Sequence, residues 1–199
     1  MIFAAVDPGA VHAAIALFQN GHPVFVDDIR TTNGILDSVA LAKALADMRV
    51  AHVVVEHVHS MPRQGMSSTF KFGVGVGIIH GVVGALRLPL TLVTPVKWKT
   101  FHALISRDKE AARQLAIRRW PHLENYLDRK KDVDRAEALL IGDWFYVHHV
   151  VPRTPEVFAL PPNRCSPVRR KLSRDWSKAS RLISLLIWAW GRAGPLSRR

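Results

Sequence analysis

Apolar residues fall into short runs of two kinds along the chain, and their order predicts a mixed sheet covered by helices. Met1–Val6 is an apolar run stopped by Asp7-Pro8-Gly9, which reads as a strand entering a turn. Ala13–Phe18 is a second run, closed by Asn20-Gly21, a favoured hairpin dipeptide, and Pro23–Asp28 is the predicted third strand. These three form an antiparallel meander. Leu36, Val39, Ala40, Ala44, Leu45 and Met48 recur at helical spacing. The β-branched run in Ala51–Val55, followed by Glu56, has no polar alternation and reads as a strand buried on both faces.

A loop is expected over His57–Phe72. After it, Gly73, Gly77, Gly81 and Gly84 stand three or four residues apart among aliphatic residues. Glycine costs a helix about 1 kcal/mol per residue, so such a stripe points to the close approach of another backbone. Pro89–Val93 reads as another buried strand, and Lys109–Trp120 and Asp134–Val147 as helices. The whole is a five-stranded α/β arrangement in which an antiparallel meander is followed by parallel strands and covering helices. No internal repeat is visible.

From Val150 the text changes. Pro152, Pro155, Pro161, Pro162 and Pro167 interrupt regular structure and arginines multiply. A domain over residues 1–150 and a tail over 151–199 follow from this. Trp176–Trp190 retains a helical stripe of Trp176, Ala179, Ile183, Leu186 and Trp190. Neither Phe72–Val93 nor Leu182–Trp190 reads as a membrane span. The first carries five glycines with His80, Arg87 and Pro89, and the second has only nine residues where a span needs ~20.

Charge sharpens this division. Residues 1–150 carry 17 Lys and Arg against 14 Asp and Glu, a net of +3, while residues 151–199 carry 11 against 2, a net of +9. A basic segment of this kind favours polyanions through counterion release, although a solubilising tail would have the same composition. The single cysteine, Cys165, leaves no internal disulfide framework, in keeping with a reducing, cytoplasmic setting. The N-terminal stretch lacks the basic leader of a signal peptide.

Four carboxylates occupy pointed places. Asp7 ends the first strand, Glu56 ends the buried strand, and Asp134 and Glu137 share one face at the start of a helix. Acids gathered from strand ends and a helix face repel one another unless cations lie between them. Hard oxygen ligands select Mg²⁺ or Mn²⁺, and two such ions ~3.5–4 Å apart serve phosphodiester hydrolysis. Blander readings exist for each: a turn-starting Asp7, a solvated Glu56 just past its strand, and Asp134 and Glu137 complementing a helix dipole. His57, His59 and His80 lack a compact ligand spacing and read as loop or core histidines.

Several segments in order carry a resemblance: Val6–Gly9 (VDPG), Val53–Glu56 (VVVE), Gln64–Gly73 (QGMSSTFKFG), Thr94–Lys99 (TPVKWK), Lys109–Arg113 (KEAAR) and Lys131–Ile141 (KDVDRAEALLI). Together they resemble the RuvC-like Holliday junction resolvases, the phage-type branch in particular. The resemblance implies an RNase H-like fold and a homodimer that binds a four-way DNA junction. It also implies symmetric nicking that leaves 5′-phosphate and 3′-hydroxyl ends. Asp7, Glu56, Asp134 and Glu137 would then be the catalytic, metal-ligating carboxylates for Mg²⁺, with Mn²⁺ substituting and no small-molecule cofactor. The last position is more often aspartate in the bacterial enzymes, which leaves Asp132 as a competitor to Glu137.

The resemblance also places the glycine-striped helix near a dimer interface. Gln64, Gly65, Ser67, Ser68, Phe70 and Lys71 are candidates for touching the junction, with hydroxyls for phosphate and a ring for an unstacked base. Phe70 and Phe72 could equally anchor the loop to the core. Lys97, Lys99, Lys109, Arg113, Arg118 and Arg119 are candidates for backbone phosphates. Two other classes share these features: another RNase H-like nuclease acting on hybrid or linear substrate, and a DNA-binding protein whose acids are structural.

Overall fold

The computed structural model describes residues 1–9, 13–32, 34–59 and 65–151. Contacts divide the chain into Met1–Arg153 and Thr154–Arg199. The readings made for the basic tail, including the Trp176–Trp190 stripe and the Leu182–Trp190 stretch, lie outside the described residues.

Strands β1 (Ile2–Asp7), β2 (Ala13–Gln19) and β3 (His22–Ile29) form the expected antiparallel meander. Asn20 and Gly21 turn β2 into β3 with φ of 52° and 83°, the left-handed pair that an Asn-Gly hairpin supplies. A small hairpin that no periodicity announces, β4 (Thr31–Thr32) with β5 (Ile35–Leu36), comes next. Helix α1 (Ser38–Asp47) begins where the Asp37 carboxylate accepts the Ala40 N–H at 2.9 Å. Strand β6 (Val53–Glu56) runs parallel to β1, and β7 (Leu90–Val93) runs parallel to β6. The sheet order is β3-β2-β1-β6-β7.

Side chains alternate across a strand, so the burial pattern separates two layers. Phe3, Ala5, Val54 and Val93 enter a core with the later helices: α3 (Pro95–Phe101), α4 (Lys109–Arg119) and α5 (Val133–Phe145). Ala4, Val6, Val53 and Val55 point to the other face and are equally buried. Helix α5 is the spine of the first layer. Eleven of its thirteen residues are buried, the two exceptions being Asp134 and Arg135 at its start. It lies so close to β2 that a Cβ on Gly142 would fall 2.1 Å from the Phe18 ring. A short π-helical turn, Tyr146–Val150, extends α5.

Three expectations change. The loop after β6 is shorter than predicted, because α2 (Met66–Ala85) already begins at Met66. Ser67, Ser68, Phe70 and Lys71 therefore sit on the first turns of a helix. Strand β7 is an edge strand, not a strand buried on both faces: Val93 is buried, but Leu90 and Leu92 are 37% and 41% exposed. Helix α3 was not predicted at all, although Thr94-Pro95 is a serviceable N-cap and N1 pair.

Among the described residues, α2 is the helix long and apolar enough to cross a membrane, at 20 residues and mean hydropathy 1.3. Phe72–Val93 is nonetheless no continuous helix. It leaves α2 at Ala85, turns through Arg87 at φ 53°, and enters the sheet as β7.

Candidate active site

The register of two parallel strands sets up the site. Val6 pairs with Val55, so Asp7 and Glu56 follow side by side at the ends of β1 and β6. Both belong to the strand face that α5 covers, and the first turns of α5 bring Asp134 and Glu137 to the same end. One carboxylate oxygen each from Asp7, Asp134 and Glu137 lie within 4.8 Å of one another. Glu56 stands beside this trio, its Oε1 accepting the Trp98 indole N–H at 2.7 Å.

These acids are not solvated surface groups. Asp7, Glu56 and Glu137 are only 5%, 7% and 7% exposed, and Asp134 is partly open. Burial, then the charges of Glu56, Glu137 and Asp134, pushes the Asp7 carboxyl well above its ordinary range. Burial also raises Glu56, with the Trp98 hydrogen bond working the other way. Buried like charges in one place oppose ionisation at neutral pH, and a divalent cation relieves that repulsion. The donor set fits such a group: hard carboxylate oxygens, mutually within reach of one ion, at the positive end of a helix dipole that lessens their repulsion. The turn-only reading of Asp7 and the solvated reading of Glu56 do not survive this geometry.

Two lysines stand against the acids. Lys99 Nζ lies 3.2 Å from Glu137 Oε1, and Lys109 Nζ lies 3.8 Å from Asp134 Oδ1. Both were expected at DNA phosphates; here their ammonium groups meet carboxylates first. Lys97, on the same short helix as Lys99, is exposed. Arg113 departs further from expectation. It is buried, donates to Glu110 and to the Leu127 carbonyl, and braces α4 instead of offering a face to phosphate.

Asp132 does not compete for the site. It is 2% exposed and accepts from the Arg129 backbone and guanidinium, with Arg135 also close. Burial opposes its ionisation, but the Arg129 hydrogen bonds prevail and hold its carboxyl below the ordinary range. Glu137 occupies the position instead.

On α2, Met66, Ser67, Ser68, Phe70 and Lys71 are exposed, Phe70 at 74%, so Phe70 is no core anchor. Gln64 lies outside the described residues. Phe70 and Lys71 help line a cavity of about 280 Å³ with Gly9, Thr31, Ile35 and Val74. It opens beside Gly9, two residues past Asp7. Further along α2, a Cβ at Gly73, Gly77, Gly81 or Gly84 would meet nothing within 4 Å among the described residues. The stripe is thus not an adaptation to its own sheet. His57 and His59 are exposed beyond β6, and His80 sits half-buried on α2.

Sequence reasoning missed Trp98 and a second buried group. Asp143 is 7% exposed on α5, with Oδ2 2.9 Å from Arg119 Nη2 and 3.8 Å from His102 Nε2, but aligned for a hydrogen bond with neither. Burial raises its carboxyl, and Arg119 opposes the rise. Burial likewise pushes His102 down to about 4, while its ring bonds the Leu140 carbonyl. The lone signal for Asp143 was a charged residue inside an otherwise apolar helical stripe.

The five-stranded mixed sheet with flanking helices is an RNase H-like fold, similar to that of solved Holliday junction resolvases. RuvC of Thermus thermophilus is similar in structure, with TM-score 0.51 and 18% identity over 74% of this chain and 95% of that one. A T. thermophilus RuvC in complex with Holliday junction substrate gives TM-score 0.51 at 17% identity, with the same coverage. The yeast mitochondrial Holliday junction resolvase gives 0.49 at 13% identity, over 72% of this chain and 78% of that one. No protein-family model and no curated protein matches the sequence.

Proposed function

We propose that this chain is a divalent-metal-dependent endonuclease that resolves four-way DNA junctions by paired, symmetric nicks. The observation that carries the reading is the convergence of Asp7, Asp134 and Glu137 at the ends of parallel strands of this sheet, with Glu56 adjoining. The similarity to RuvC, one structure of which holds a Holliday junction substrate, supports the choice of DNA.

The four acids would hold Mg²⁺, with Mn²⁺ as a substitute. Two ions, when bound, supply an activated water and stabilise the departing 3′ oxygen. Everything else falls to the chain. Asp7 and Glu56 are placed by the pairing of β1 with β6, and Asp134 and Glu137 by the packing of α5, so the backbone sets where the four acids stand. Lys99 and Lys109 offset part of the cluster's charge and stand where a backbone phosphate approaching the acids would meet an ammonium group. The exposed start of α2, with Ser67, Ser68, Phe70 and Lys71 beside the cavity near Gly9, is the surface for the junction strands. Products carry 5′-phosphate and 3′-hydroxyl ends.

Paired nicking needs two active sites, and the glycine face of α2, uncovered among the described residues, supports a homodimer. Small residues at i, i+4 and i+8 let two helices approach closely. The test is cleavage of a labelled synthetic four-way junction, with Mg²⁺ or EDTA and with linear duplex as control. Symmetric, Mg²⁺-dependent nicks confined to the junction establish the reading. Preference for an RNA–DNA hybrid, or binding without cutting, overturns it in favour of another RNase H-like nuclease or a junction-binding protein.

A further inference from the structure

Trp98 is fully buried in the core under α5, and its indole N–H needs an acceptor there. A backbone carbonyl would serve, as the Leu140 carbonyl serves His102 one turn further along. Trp98 instead donates at 2.7 Å to Glu56 Oε1, an oxygen of one of the four site acids. The next residue, Lys99, reaches Glu137 at 3.2 Å. The short helix α3 therefore touches two acids that arrive on different elements, β6 and α5.

We propose that Trp98 is a positioning residue for the metal site: its indole N–H holds Glu56 Oε1 and fixes the side chain, so that Glu56 meets a divalent cation in one set orientation. The proposal rests on the metal-site reading above and adds to it a source of ion selectivity. A carboxylate with one oxygen so held offers an ion the other more freely. That suits Mg²⁺, which demands near-octahedral geometry, and it disfavours the bidentate carboxylate that the larger, looser shell of Ca²⁺ accepts. Groups that orient a ligand from behind commonly govern affinity by about 10–100-fold. The buried indole also keeps water from solvating the same oxygen, so the direction of Glu56 does not depend on an ion being present.

The test titrates Mg²⁺ and Ca²⁺ separately into metal-free protein, without DNA, by calorimetry and by the rise in Tm. Wild type and Trp98→Phe are compared, the latter keeping a large ring but no N–H. The expected result is a fall in Mg²⁺ affinity of about 10-fold or more, a smaller change for Ca²⁺, and hence a reduced Mg²⁺/Ca²⁺ ratio. Equal affinities and an equal ratio in the variant overturn the proposal, leaving Trp98 as packing alone. A wild-type protein that binds neither ion overturns the metal site itself, and the proposal with it. Should Trp98→Phe not fold, the wild-type Trp98 indole N–H resonance decides: it shifts with the Mg²⁺ titration if Glu56 takes the ion, and a resonance that stays fixed through saturation overturns the proposal.

Discussion

Lys99 Nζ stands 3.2 Å from Glu137 Oε1, with the carboxylate 9% exposed and the lysine 32%. A cation of the chain's own thus faces the acid cluster that a metal ion would enter. Part of the repulsion among Asp7, Glu56, Asp134 and Glu137 is offset in this way, and an ion taking Glu137 Oε1 would compete with the lysine for it.

Replacing Lys99 by methionine should therefore separate two effects. In EDTA the variant loses about 1–2 kcal/mol, between the worth of an exposed pair and the cost of breaking a buried one. Mg²⁺ then raises Tm more than in wild type, because the ion no longer competes with the ammonium. Thermal unfolding with EDTA and with Mg²⁺ measures both. An equal Mg²⁺ increment in the two proteins would mean that Lys99 and the ion do not share Glu137.

Asp134 is the most accessible of the four acids, with 31% of its side chain exposed, and its replacement disturbs the core least. Asp134→Asn is expected to keep the fold and junction affinity while cleavage falls by about 10³-fold or more, the scale of losing a main transition-state stabiliser. Gel-shift and single-turnover cleavage on one junction check the two halves. Wild-type turnover would remove Asp134 from the site.

Asp7 makes the fold pH-dependent in a stated direction. Burial, with the charges of its neighbours, raises its carboxyl in the folded chain. Folded protein then holds a proton that unfolded chain has released, so stability declines as pH rises from the ordinary carboxyl range through the raised one. Asp7→Asn has no such proton to lose. In EDTA the variant should gain on wild type steadily from pH 4 to pH 7.5, and Mg²⁺ should remove or reverse that advantage. Urea midpoints across this range test it, and a pH-independent difference would mean that burial and its neighbours do not raise the Asp7 carboxyl.

Much of this arrangement was legible because it rests on local signals. Asp7-Pro8-Gly9 ends β1, Asn20-Gly21 turns β2 into β3, and the unbroken Val53–Val55 run announces a strand covered on both sides. Asp7 and Glu56 could be picked out because they close two of these strands, and Asp134 and Glu137 because they share one face at the start of a helical pattern. What escaped notice depends on tertiary contact. Nothing local distinguishes the half-covered β7 from a buried strand, since Leu90 and Leu92 are as apolar as Val54. Arg113 reads as a surface cation on α4 until Glu110 and the Leu127 carbonyl are seen to take its donors. The carboxylate neighbours of Lys99 and Lys109 were hidden for the same reason: a sequence shows a charge but not what it faces. Trp98, between two lysines, carries no local sign that it is core.

Gly142 shows how tightly the spine helix must lie to hold Asp134 and Glu137 in place. A Cβ there would fall 2.1 Å from Phe18 in a packed core where that ring also stacks on Phe3. Gly142→Ala gains helix propensity of about 1 kcal/mol and should still lose about 1–3 kcal/mol net by overpacking. Equilibrium unfolding decides. A variant as stable as wild type would show that α5 can move away from β2, which would also loosen the acid cluster.

The tail offers a prediction that needs only its charge. Residues 151–199 carry a net +9, against +3 for residues 1–150. If tail arginines neutralise junction phosphates, each contact adds about 0.9 to the slope of log affinity against log salt. Removing residues 154–199 should then lower that slope by several units and weaken binding most at low salt. It should leave the Mg²⁺ dependence of cleavage unchanged, because the four acids all precede residue 138. Junction binding between about 50 and 200 mM salt, the range in which such contacts dominate, measures the slope directly. An unaltered slope would mean that the tail touches no phosphate and that the junction is gripped by the nuclease domain alone.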